Sequence, residues 1–181
     1  MKIHFEDILR FWFVEISPKQ WWEKSDAFDQ MILQRFQNTH TQAYQGELFD
    51  WRENPLGRLA EIIVLDQFSR NMYRHLPSSF ASDPMALVLT QDAIFQGKNT
   101  GLMPDEKGFL YMPMMHSESK VIHQFAQPYF QSVGLDSYAR SLARHSEVIN
   151  RFNRYPHRNA ILGRTSTLEE LEFLNQPGSS F

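Results

Sequence analysis

The chain is 181 residues long, the size of one domain, and folding at that length removes roughly two-thirds of the unfolded chain's surface from water. Its formal net charge of −3 offers no broad attraction to nucleic acid or to an anionic membrane. With no cysteine it builds neither disulfides nor thiolate metal sites.

The remaining composition is that of a globular protein with a self-sufficient core, since 42% of residues are hydrophobic and 15 are Phe. The N-terminal stretch Met1 to Asp7 is acidic early and lacks a signal-peptide apolar region. No stretch reaches the ~20 apolar residues of a membrane span. These features predict a cytoplasmic protein with neither nucleic acid nor membrane as partner.

Taken in chain order, the punctuation is helical. Phe5, Ile8, Leu9, Trp12 and Phe13 share one face of a first helix that stops before Ser17-Pro18. Ser25 caps a second, whose apolar positions run to Gly46. Asn54-Pro55 pairs an N-cap with a first-turn proline and opens a third helix carrying Leu56, Leu59, Ile62, Ile63 and Leu65. Asp83-Pro84 gives the same start signal for a fourth, closed by Gly97. A short segment around Phe109 to Tyr111 is expected to break at Pro113, and Ser117 to cap the next helix with Val121, Ile122, Phe125, Ala126 and Tyr129 inward.

Leu135 to Phe152 has the clearest amphipathic pattern, with Leu135, Tyr138, Leu142, His145, Ile149 and Phe152 on its face. Pro156 opens a short helix ending at Gly163, and Ser166 with Glu169 forms a capping box for the last, which holds Leu168, Leu171 and Leu174. The reading is all-α, about eight helices in one domain over 1–181, with a frayed tail at 176–181. Trp21-Trp22 and the Met103, Met112, Met114, Met115 group read as core, lid or filler.

Three strings interrupt this apolar logic. Asp66 and Arg70 lie four apart on the stripe of Leu59 and Ile63, where an unpaired ion would cost several kcal/mol or more. They form either an internal ion pair or, with Asn71, the polar floor of a pocket. His116, Ser117 and Glu118 sit at a helix start, where backbone N–H groups hold anions and His116 and Glu118 are candidate acid or base. Six of the twelve arginines fall between Arg140 and Arg164 against one acid, Glu147, a pattern suited to carboxylate or phosphate. Part of that strip reads as a solvated helix face around Glu147, but Pro156 turns Arg154, His157, Arg158 and Asn159 elsewhere.

The strings Leu65-Asp66-Gln67-Phe68-Ser69-Arg70-Asn71, Met112-Pro113-Met114-Met115-His116-Ser117-Glu118 and Arg151-Phe152-Asn153-Arg154-Tyr155-Pro156-His157-Arg158-Asn159 resemble a largely bacterial family, the domain of unknown function 924. Ile8-Leu9-Arg10-Phe11-Trp12-Phe13 and Gly163-Arg164-Thr165-Ser166-Thr167 fit it too, so the likeness spans nearly the whole chain. The resemblance implies an all-helical fold similar to tetratricopeptide-like α–α superhelices and implies no activity. It also implies a glycine where this chain has Asn153. No repeat of the ~34-residue tetratricopeptide period is visible.

Together these readings predict a pocket between helices that binds or processes a small anionic ligand. Its binding residues are Asp66, Arg70, Asn71, Ser117, Arg154, Arg158 and Asn159, and its acid–base candidates are His116, Glu118 and His157. Ser69 and Ser117 are the alternative nucleophiles, without an elbow motif. Whether the pocket catalyses a reaction stays open. The competing reading is a protein- or peptide-binding scaffold in which the polar cluster is purely structural. No cofactor or metal is expected, because His-x-Glu is not a helical ligand spacing.

Overall fold

A computed structural model describes residues 3–179. Among these the helices are α1 (Phe5–Arg10), α2 (Asp26–Tyr44), α3 (Pro55–Ile63), α4 (Ser69–Met72), α5 (Asp83–Phe95), α6 (Pro104–His116), α7 (Lys120–Gln131), α8 (Asp136–Phe152) and α9 (Leu168–Leu174), with no strand among the described residues. A π-helical turn, Val64–Phe68, joins α3 to α4, so the two run as one rod and the rods number eight.

That rod is the centre of the molecule. Every residue from Gly57 to Ser69 is buried, and α1, α2, α5 and α6 pack around it. Beyond α6 the chain stacks sequentially, α6 on α7 and α7 on α8, while α9 docks on the turn Pro156–Arg158. No helix among the described residues is long and apolar enough to cross a membrane.

Several helix ends follow from their local chemistry. Ser25 Oγ accepts from Phe28 N at 3.3 Å, and Asn54 Oδ1 accepts from Leu56 N at 2.9 Å. Gly46 and Gly97 follow their helices with φ of 75° and 67°, a conformation that glycine adopts without steric cost. Asn153 terminates α8 at φ 57°, also left-handed, so asparagine performs there the task for which the resemblance implies glycine.

Other ends differ from the sequence reading. The helix around Phe109 does not break at Pro113; α6 runs through to His116 because Gly108 to Met115 are all buried and packing outweighs the missing N–H. Ser117 does not start α7. Ser119 caps it, its Oγ accepting from Ile122 N at 3.4 Å, which turns His123, Ala126 and Phe130 inward and leaves Val121 exposed.

The last capping box is shifted by one residue, to Thr167 and Glu170 (Glu170 N to Thr167 Oγ1, 3.2 Å; Thr167 N to Glu170 Oε2, 2.8 Å), and Leu168 and Leu171 face out. Pro156 opens only a single 3₁₀ turn. At the C-terminus Ser179 is buried and its hydroxyl donates to Leu174 O at 3.0 Å, while 180–181 of the expected frayed tail lie outside the described residues.

Candidate functional site

The site begins with the π turn. Widening a helix by one residue disturbs its regular carbonyl ladder, and such turns recur where a side chain must be re-aimed. Here the Leu65 carbonyl accepts from Ser69 Oγ at 2.6 Å and Ser82 Oγ at 2.7 Å, and the Asp66 carbonyl accepts from Arg70 Nη1 at 2.7 Å. Ser69 also bonds His40 Nε2 at 2.7 Å and is fully buried, so its hydroxyl ties α2 to the rod and is not an exposed nucleophile.

Asp66 itself is 1% exposed, and both carboxylate oxygens are occupied. Oδ1 lies 2.7 Å from His116 Nδ1 and 3.0 Å from Arg70 Nη1. Oδ2 accepts from Gln67 Nε2 at 2.5 Å. Burial pushes the Asp66 carboxyl up, but the Arg70 charge and the hydrogen bonds from His116 and Gln67 outweigh it and hold the group ionised below the usual carboxylate range.

An ionised carboxylate only accepts hydrogen bonds, so His116 Nδ1 must carry the hydrogen that bridges them. Burial, reinforced by the Arg70 charge and opposed by Asp66, lowers the His116 pKa and keeps the ring neutral. A neutral imidazole protonated on Nδ1 leaves a lone pair on Nε2, the atom for which no hydrogen-bond partner exists among the described residues.

A second carboxylate braces the arrangement. Asp83, the first residue of α5, lies 3.0 Å from Arg70 Nη2 and 3.2 Å from Arg158 Nη1. Arg158 is 6% exposed, its guanidinium held between the rings of Phe80 (4.5 Å) and Tyr155 (4.6 Å), with Nη2 donating to the His116 carbonyl at 3.0 Å. Its Nε is buried with no partner among the described residues.

These groups line a cleft of about 470 Å³, within the range of small-molecule sites. Gln67, Arg70, His116 and Arg158 form its polar wall. Trp21, Trp22, Phe80 and Tyr138 supply aromatic surface, and Lys24 stands at the edge without an ion pair among the described residues. Trp21 is fixed by Nε1 donating to Trp12 O at 2.9 Å, whereas Trp22 is 59% exposed. Tyr138 lies so close to Gly108 that a Cβ there would sit 2.3 Å from the ring. His145 and His157 also line the cleft, and burial lowers each to about 3. Among the described residues no group of three or more His, Cys, Asp or Glu side chains is disposed to hold a metal ion.

The structure brings Asp66, Arg70, Asn71, His116, His157 and Arg158 to this cleft or directly behind it. Asn71 donates to Asp29 Oδ1 at 2.8 Å, beside the Arg74–Asp29 pair. The other candidates point elsewhere. Glu118 is clasped by Arg164 at 2.6 and 2.9 Å and accepts from Tyr155 N at 2.7 Å. Arg154 is bidentate with Glu170 at 2.6 and 2.7 Å and tethers α9. Asn159 joins Ser166 at 3.0 Å and Arg164 at 3.0 Å, and the Ser117 carbonyl is 2.9 Å from His123 Nε2.

Four residues of the site escaped the sequence reading. Asp83 reads as a helix-start acid and Gln67 as an ordinary polar residue within the helix, while Phe80 and Tyr155 carry no local signal at all. A partial signal existed for Gln67, which follows Asp66 directly after the apolar run Ile62 to Leu65.

The family described as bacterial protein of unknown function (DUF924) has a sequence model that matches residues 8–178. The structure of a protein of unknown function from Agrobacterium tumefaciens superposes with a TM-score of 0.89 at 35% identity, covering 94% of this chain and 96% of that one. No curated protein matches the chain.

Proposed function

We propose that this chain, which belongs to the DUF924 family, binds a small organic ligand bearing an acidic group in the cleft beside α6, with His116 as the base. The observation that carries the reading is the 2.7 Å contact between Asp66 Oδ1 and His116 Nδ1, made from inside a buried π turn. A buried carboxylate that fixes an imidazole tautomer and turns the other nitrogen toward a cleft is the arrangement general-base chemistry requires. His116 Nε2 is then placed to take a proton from a ligand hydroxyl or from a water beside it.

The acidic group is argued from the remaining charges. Asp66 and Asp83 are each shared, Asp66 with Arg70 and Asp83 with Arg70 and Arg158. Of the lysine and arginine side chains that line the cleft, Arg70, Arg74 and Arg158 are paired with carboxylates, and Lys24 has no ion pair among the described residues. One such cation favours a single carboxylate or phosphate over a highly charged ligand.

A scaffold reading has one observation in its favour, the exposed Val88, Phe95 and Val121 on α5 and α7, with Phe95 meeting Phe125 at 6.2 Å. That surface lies outside the cleft lining.

The test is a thermal-unfolding screen of the natural chain and His116→Gln against small carboxylates, phosphates and their neutral esters. A ligand at a hundred times its Kd adds about 2.7 kcal/mol, or about 5–10 °C for a chain this long. The expected result is stabilisation by one class of acid, reduced in the variant. No shift with any acid, or equal shifts in both proteins, would count against the reading.

A further inference from the structure

Asp66 does more than orient His116, because its second oxygen orients Gln67 in the same way. A carboxylate can only accept, so the Gln67 amide must present its NH₂ at the 2.5 Å contact with Oδ2. Nε2 also lies 3.2 Å from Met112 Sδ, which leaves that nitrogen committed on the protein side. The Gln67 carbonyl oxygen Oε1 has no hydrogen-bond partner among the described residues, and Gln67 lines the cleft together with His116. One buried carboxylate thus fixes two neighbouring side chains so that each offers the cleft an acceptor, a ring nitrogen lone pair and an amide oxygen.

Two fixed acceptors discriminate between ligands. A carboxylate or ether oxygen brought against them meets lone pair with lone pair and leaves desolvated polar atoms unpaired, which costs more than a missing contact. A hydroxyl or N–H satisfies whichever acceptor it meets, and an NH₂ can satisfy both. The cation free to meet an acid, Lys24, is another residue of the lining, so an acidic group and a donor group can be held at once. Trp22 and Tyr138 offer flat apolar surface in the lining.

Building on the proposed function, we infer that the ligand of this cleft is a flat-bodied hydroxy or amino compound whose O–H or N–H donates to His116 Nε2 or Gln67 Oε1. His116 and Gln67 together are its specificity-determining pair.

The experiment uses matched fragments that differ only by methylation of the donor: phenol and anisole, benzyl alcohol and its methyl ether, indole and N-methylindole, each also as its ring carboxylate. Binding to the isotope-labelled full chain is followed by NMR at the His116 ring nitrogens and the Gln67 side-chain amide. Donor members are expected to bind about tenfold more tightly than their methylated partners and to move the Nε2 resonance. Gln67→Met, which removes the amide oxygen at similar volume, is expected to shrink that advantage.

Equal binding of donor and methylated members at cleft resonances would overturn this inference and leave the cleft reading standing. If no fragment perturbs any cleft resonance, the cleft reading itself falls, and the inference with it. The matched-pair comparison on the unchanged chain decides the matter even where Gln67→Met folds poorly.

Discussion

Asp66 is the residue on which both structure and chemistry turn, because three neighbours lean on one buried carboxylate. His116 and Arg70 meet Oδ1 at 2.7 and 3.0 Å, and Gln67 meets Oδ2 at 2.5 Å. Replacing it with asparagine leaves Arg70 short of a counter-charge and puts an amide NH₂ among donors. Asp66→Asn is therefore expected to lower unfolding stability by about 3–5 kcal/mol in urea. His116→Gln keeps an N–H donor near Oδ1 and is expected to cost only about 1 kcal/mol in the same assay. Asp66 and Arg70 were legible in the sequence because charges on an apolar stripe must be explained. Asp83 and Tyr155 were not, since Asp83 meets Arg70 and Arg158, and Tyr155 meets the Met115 carbonyl, across separations that no local spacing encodes.

At the scale of elements, the π turn of the site accounts for much of what periodicity missed. The second one, Phe11–Glu15, opens on two core residues, Phe11 and Trp12, which follow the buried Ile8 at i+3 and i+4. Val64–Phe68 buries five successive residues and aims Asp66 at α6. Caps made by a neighbouring side chain were readable, as Ser25 and Asn54 show. Those decided by tertiary packing, at Pro113 and Ser119, were not.

Two element-scale predictions follow from glycine geometry. Gly108→Ala drives a methyl into the Tyr138 ring and is expected to destabilise by about 1–3 kcal/mol and to alter Trp22 fluorescence through the shared wall. At the α8 terminus Asn153→Ala is expected to cost about 1 kcal/mol, whereas Asn153→Gly should leave chemical-denaturation stability within about 0.5 kcal/mol of the natural chain.

The whole molecule carries a pH dependence from its buried histidines. His40, His116, His123, His145 and His157 all have pKa values lowered, chiefly by burial, the last two to about 3. A histidine whose folded pKa lies below its unfolded value near 6.5 binds its proton more readily unfolded. Its contribution is complete above about pH 6.5 and is lost as pH falls toward the folded value. Glu118 and Glu170, the latter lowered to about 2, act in the same direction below about pH 4.3. Stability is thus expected to be flat above about pH 7 and to fall by about 1–3 kcal/mol per pH unit near pH 5, measured by urea unfolding across a buffer series. A stability maximum in the acid range would contradict this account.

The measurement closest to the central claim is long-range ¹⁵N–¹H NMR of the His116 ring at neutral pH, assigned with His116→Gln. The account predicts a neutral imidazole carrying its proton on Nδ1 and a bare Nε2 whose resonance moves when an acid from the screen binds. An imidazolium at neutral pH, or a proton resting on Nε2, would make Asp66 a mere counter-ion and remove the base from the cleft.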